Sequence, residues 1–431
     1  MERQVLQFAV ASRAIVSGIA ALTTQIVTPY DTSTHLESHS RSLFSAFANW
    51  DGVYYAHIAR HGYDYEHVHA FFPLYPLLMR ALSVILPLEP SIATIVSGWI
   101  ISNASFVLAA LFLYRLGRMV IDNECVARRA AYLFCITPSS IFMSAVYSES
   151  FSGMYYLELH KRSGKFKELL YCAMLFGCAS ATRSNGILLS LYIAWYRLWV
   201  SPSPVTTPGR FLRYWMVTAV LGVIVIGPQL AYFVYGMRMY CPSLFDPVTD
   251  SQTASSFLVE DRSWCAHVVP NFSAMYMFIQ NEYWNIGLFN YYELKQLPNF
   301  VLATPVLALS IVSLFQYFNS TIHNRGTCRK QAKQSRVSAS SASPYYVHWL
   351  VLLVNALLIM HIQVATRFMC ACPPLFWAPA AAATASIPQA SARKQRQSSP
   401  AITWQGKLVV AYFLLFNILG AVLFPSFYPW T

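Results

Sequence analysis

The 431-residue chain is 56% hydrophobic and only 11% charged, with a formal net charge of +12, whereas an ordinary globular domain is about one quarter charged. Such a composition excludes a protein built mainly for water. The basic excess would suit a nucleic-acid partner if it formed one surface, but it falls in short gaps between apolar runs, so topology explains it and no nucleic acid is expected.

Apolar runs recur from end to end against a hydrocarbon core about 30 Å thick, and only helices that satisfy their own backbone groups can pave it. Spans are expected near residues 7–27, 92–114, 131–147, 149–159, 168–182, 187–200, 214–236, 301–318, 345–364, 370–390 and 407–425, about eleven in all. The fold class is therefore an all-α polytopic membrane protein, a single integral-membrane unit over residues 1–431. No cleavable leader pattern precedes the first run, which reads as a retained anchor. Residues 74–88 are apolar but bounded by prolines and read as an interfacial or re-entrant helix.

Arg115, Arg118, Arg128 and Arg129 form one basic gap, and Lys161, Arg162, Lys165 and Lys167 form the next on the same side, which should be cytosolic. Alternation then places Arg210 and Arg213, a basic loop at 319–343 and another at 391–407 in the cytosol. The opposite, luminal face receives a first loop at 28–73, the turns Tyr147 to Glu149 and Arg183 to Gly186, a long loop at 237–300, the turn at Thr366 and Arg367, and the tail from Phe427. Cys241 and Cys265 share that long loop and would pair in an oxidising compartment. Cys135, Cys172 and Cys178 sit in apolar runs as small hydrophobes. Of the N-x-S/T triplets, Asn271 falls in a luminal loop, Asn103 inside a span and Asn319 at a cytosolic edge.

The segment from Asn49 to Pro76 packs Asp51, Asp64, Glu66, four histidines and a series of aromatic residues between two spans. A connecting loop needs none of these. Sugar transfer to a hydroxyl needs a base, donors for a departing phosphate and aromatic faces for sugar rings, and this loop carries all three. Asp51 precedes Gly52 and an amphipathic stretch, so it reads either as a general base or as a helix N-cap. His67 and His69, two apart, would face one side of an extended segment. With no carboxylate or thiol to complete a ligand set, they read as hydrogen-bonding groups and no metal is expected.

Motifs then run along the whole chain: Trp50-Asp51, Gly62-Tyr63, Tyr65-Glu66-His67, Ala70 to Pro76, Pro138 to Phe142, Ser144 to Ser150, Ala181 to Gly186, Tyr283 to Gly287, Thr366 to Phe368 and Pro429 to Thr431. In this order they resemble the PIG-V family of GPI mannosyltransferases. The segment between Ser150 and His160 is shorter than a full span, and the basic loops after Asn319 and Ala390 match no block.

The resemblance implies a GT-C-like multi-span bundle with a catalytic first luminal loop, acting in the endoplasmic-reticulum membrane. It implies an inverting hexosyltransferase that adds the second mannose, α1,6-linked, to the GPI-anchor precursor from dolichyl-phosphate mannose, with no cofactor beyond that donor. The partners implied are the two lipid substrates, the bilayer and a possible small accessory membrane subunit. Asp51 would be the base on the acceptor hydroxyl. Arg183 and Arg367 would clamp the dolichyl phosphate, the competing reading being arginines snorkelling to the interface. Trp50, Glu66, His67, His69 and Asn185 would bind substrate. Glu149 would orient a sugar hydroxyl or pair with an arginine, unless it is a solvated helix end. Trp284 and Asn285 would supply a ring and an amide, or belong to an aromatic belt. Other readings are a flippase or transporter of a lipid-linked sugar, whose polar groups would gather nearer the midplane, and a related enzyme acting on another GPI mannose.

Overall fold

The computed structural model describes residues 1–30, 43–144, 148–200, 207–241, 262–265, 273–327, 333–383 and 403–428, and among these it is helical with no strand. Helix α1 (Glu2–Ile26) starts at a basic end of the bundle, where Glu2 meets Arg115 at 2.7 Å. At the other end lie a 3-10 turn (Leu43–Phe47), α2 (Asp51–His61), a second 3-10 turn (Glu66–Ala70) and α3 (Leu74–Ser83). Helix α4 (Pro90–Val120) returns to the basic end. Proline in its first turn and the Glu89 carboxylate, which accepts from the Ser91 and Ile92 amides at 3.3 Å, fix where it begins.

Next come α5 (Glu124–Cys135), capped by Asn123, then α6 (Ser148–Ser163) and α7 (Phe166–Thr182). A 3-10 turn (Ser184–Leu189), α8 (Ser190–Trp195) and α9 (Pro208–Tyr240) follow. The chain closes with α10 (Ala274–Trp284), α11 (Leu297–Thr327), α12 (Lys333–Leu358), α13 (Ala365–Met369), α14 (Pro374–Ala382) and α15 (Trp404–Leu423). The core is aromatic, with Tyr114, Phe134, Tyr345, Trp349, Phe376 and Phe413 fully enclosed. Close helix approach relies on small residues: a Cβ at Gly177 of α7 would lie 2.5 Å from the Ile224 carbonyl oxygen of α9.

Among the described residues, five helical stretches are long and apolar enough to cross a membrane: Glu2–Ile26, Pro90–Val120, Pro208–Tyr240, Leu294–Ile322 and Trp404–Ser426. The spans expected near residues 7–27, 92–114, 214–236, 301–318 and 407–425 fall on these five stretches. Helix α6 has 16 residues, or about 24 Å at the α-helical rise, short of a hydrocarbon core. Phe151 and Met154 of α6 and Cys172 and Phe176 of α7 are apolar because they are buried in protein. Hydropathy alone does not separate that case from lipid exposure.

The loop expected at 319–343 is also corrected, because α11 continues through Thr327 and α12 begins at Lys333. Most of the other basic loop, residues 391–402, and Asn271 lie outside the described residues. Cys241 and Cys265 form the expected disulfide, with Cα atoms 5.7 Å apart.

Candidate active site

Trp50 enters α2 with φ of 56°, a backbone conformation costly for a bulky side chain. Neighbours hold it there. Asn49 donates from Nδ2 to the carbonyl oxygens of Phe424 and Pro425 at 3.3 and 2.7 Å, and the Trp50 ring packs on Phe427 at 5.9 Å. The next residue is therefore aimed by the end of α15. Asp51 is the first helical residue of α2, with Trp50 in the N-cap position, so the N-cap reading of Asp51 is replaced by another contact. Its Oδ2 accepts from Arg367 at 2.5 Å, across 316 positions of sequence.

The Arg367 guanidinium lies 4.6 Å from the Phe142 ring centroid, and Arg183 lies 5.4 Å from that of Phe368, the residue after Arg367. Burial alone would raise the Asp51 pKa, but the charge of Arg367, its hydrogen bond and the charge of Arg183 outweigh it and hold the carboxyl below the ordinary aspartate range. Asp51 sits deep in this end of the bundle yet keeps 43% of its side chain open, while Arg367 keeps 13%. The result is an ionised, reachable carboxylate beside two cations.

Arg183 is placed by the extended residue that ends α7 and by a tight turn: a Cβ at Gly186 would meet Ala179 backbone atoms at 2.4 Å. Asn185 is half-buried in the same turn. Next to Gly52 a small, partly open cavity of about 40 Å³ is lined by Tyr55, Tyr75, Trp99 and Ser102 among others. Tyr55 lies one helical turn beyond Asp51, and burial raises its phenol pKa. Sequence reasoning does not single it out, although its i+4 spacing from Asp51 is a visible signal.

The other expected binding residues have the following surroundings. The Glu66 carboxylate accepts from Trp264 Nε1 at 3.0 Å and Tyr283 Oη at 3.1 Å, with Arg262 at 3.8 Å, so it ties the first loop to the second beside the Cys241–Cys265 disulfide. Glu66→Ala strands two donors, each costing about 1–3 kcal/mol. We expect a lower thermal midpoint in detergent, with activity per folded molecule changed by less than about threefold; a binding role would instead raise KM at an unchanged midpoint.

His67 and His69 do not line one face of an extended segment, since both fall in a 3-10 turn with separate surroundings. His67 packs among Tyr54, Tyr65 and Tyr283 at 5.7 to 5.9 Å. His69 is fully buried against Tyr63 and Tyr232, and burial lowers its pKa to about 4. It is a neutral core imidazole. Trp284 meets Tyr54 of α2 at 6.5 Å and Phe71 at 6.1 Å. Asn285 ends α10 in the left-handed region at φ of 50°. The backbone of Glu149 lies in the first turn of α6, and its side chain is outside the described residues.

A family model described as mannosyltransferase (PIG-V) matches residues 2–431. A mouse protein named GPI alpha-1,6-mannosyltransferase 2 is 29% identical over 496 residues, covering 100% of this chain and 99% of its own. One from Drosophila pseudoobscura named GPI mannosyltransferase 2 is 30% identical over 409 residues, covering 90% and 87%. Among solved structures, the oligosaccharyltransferase of Archaeoglobus fulgidus aligns at 14% identity and a TM-score of 0.48, over 96% of this chain and 55% of that one. With the family model spanning the chain and the motif residues meeting at one end of the bundle, this protein belongs to the PIG-V family of mannosyltransferases.

Proposed function

We propose that this multi-pass membrane mannosyltransferase adds the second, α1,6-linked mannose to the GPI-anchor precursor, taking it from dolichyl-phosphate mannose at the luminal face of the endoplasmic reticulum. The observation that carries the reading is the meeting of Asp51 with Arg367 and Arg183, drawn from three distant segments to one end of the bundle. Two relatives that span most or all of the chain bear names for this class of transfer.

In the proposed step Asp51 takes the proton from the acceptor's 6-hydroxyl as that oxygen forms a bond to C1 of the donor mannose. The C1–O bond to phosphate breaks on the opposite face, and dolichyl phosphate leaves with the electron pair. One displacement converts the β-linked donor into an α product. Charge gathers on the phosphate oxygens, where guanidinium groups serve as a planar fork. Arg367 is held by Asp51 before substrate arrives, and an incoming phosphate competes for it. That exchange frees the carboxylate to act as base at the moment the donor is bound.

Activity is tested in microsomes from cells lacking the second GPI mannosyltransferase, rescued with this chain, by scoring glycolipids with one against two mannoses. Restoration of the two-mannose lipid is expected. A one-mannose lipid left unchanged by a correctly located, abundant protein overturns the assignment and brings the transporter reading forward.

A further inference from the structure

Arg13 stands in the middle of α1, a membrane-length helix, with only 4% of its surface exposed and no carboxylate partner among the described residues. Its guanidinium lies over Phe106 at 3.8 Å, and it donates to the Ser140 carbonyl at 2.9 Å, to Ser140 Oγ and to Ser12 Oγ at 3.1 Å. An unpaired charge at such a place is expensive, and replacing buried ions by apolar groups of similar volume is commonly neutral or stabilising. Stability therefore does not explain it.

What Arg13 grips is the segment from Thr137 to Phe142. The same segment is held from two other sides: Asn417 of α15 donates to the Thr137 carbonyl at 3.3 Å, and Thr137 Oγ1 lies 3.0 Å from Cys370 Sγ, three residues past Arg367. At its far end the Phe142 ring carries the Arg367 guanidinium at 4.6 Å and rests against Phe424 at 5.1 Å. Ser140 and Thr137 are fully buried, so the grip passes through a segment with little room to relax.

We propose that Arg13 is a positioning residue for mannosyl transfer, which, by fixing the Thr137–Phe142 segment from inside the membrane, sets the Phe142 platform that aims Arg367 at Asp51. The inference rests on the reading of Asp51 and Arg367 as the reaction centre. Misplacement of a reacting group by about 1 Å costs on the order of 10²-fold in rate, so a residue that touches no substrate can still control turnover.

The test uses the full-length protein in the rescued microsomes, with kcat and KM measured for both lipids. Arg13→Met should keep its abundance and both KM values within about threefold while kcat falls about tenfold or more. Arg13→Lys, which keeps charge and some donors, should recover part of the loss. Phe142→Leu should lower kcat alike, and the double variant should fall no further than the worse single one, because both act through one chain of contacts. A wild-type kcat in Arg13→Met, or losses that multiply in the double variant, overturns the proposal. If Arg13→Met does not accumulate, Ser140→Ala decides: a kcat loss of about three- to tenfold supports the link, and wild-type turnover overturns it. Asp51→Asn is run beside them. Activity there overturns the reaction-centre reading itself, whereas an inactive Asp51→Asn with a full-speed Arg13→Met overturns the positioning role alone.

Discussion

Asp51→Asn is expected to lower kcat for mannose transfer by about 10²- to 10⁴-fold while the protein stays in the membrane at wild-type abundance. Asparagine nearly matches the shape and keeps an acceptor for Arg367, but it takes no proton from the acceptor hydroxyl. The stability cost is small: with 43% of the Asp51 side chain open, the ion pair is screened by solvent and contributes about 1 kcal/mol or less. Asp51→Glu separates basicity from placement. It keeps the carboxylate but moves it by one methylene from the geometry that Trp50 and Asn49 impose, so a loss on the order of 10²-fold is expected. The measurement is the ratio of two-mannose to one-mannose glycolipid under single-turnover conditions. A turnover in Asp51→Asn within about tenfold of wild type removes Asp51 from the role of base.

How much of the fold and site is legible in the sequence depends on which physical property marks each residue. Asp51, Arg183 and Arg367 are readable because charge at a membrane surface is costly and topology puts all three on one face; the fold then joins Asp51 to Arg367 by a direct contact and brings the charge of Arg183 to bear on it. The long spans are readable for a related reason, since about twenty apolar residues in a row are seldom kept by a chain except to cross a bilayer. The short helices are not, because the enclosed faces of α6 and α7 look like lipid-facing ones in a hydropathy scan. For Glu66 and His69 the sequence shows a polar group in a motif but not its partners, which only the fold supplies. Trp264 and Tyr283 come from about two hundred positions away, beyond any local pattern. Phe142 stands inside a motif, but nothing in its spacing says that its ring lies under a guanidinium.

Arg367→Met is expected to change both the rate of transfer and its dependence on pH, and the two effects have separate causes. Removing a donor to a departing oxyanion costs about 10²- to 10³-fold in rate. Arg367 is also what chiefly holds the Asp51 carboxyl below its ordinary range against the opposing effect of burial. In the wild type, the base is therefore ionised at neutral pH and loses that form only in acid, so kcat/KM should be flat through the neutral range. Without the guanidinium, burial is left to act, the Asp51 pKa rises, and the acid limb should move to higher pH. Arg367→Lys divides the effects. An ammonium keeps most of the charge that sets the limb, but it lacks the planar fork, so the limb should stay while much of the rate is lost. Arg183→Met should show the reverse weighting for pH, a rate loss with a smaller shift, because Arg183 acts on Asp51 through charge alone and more weakly than Arg367. A limb that stays in place in Arg367→Met would mean that the pair seen in the structure does not tune the base, and would leave Arg367 with phosphate binding as its sole part in the reaction.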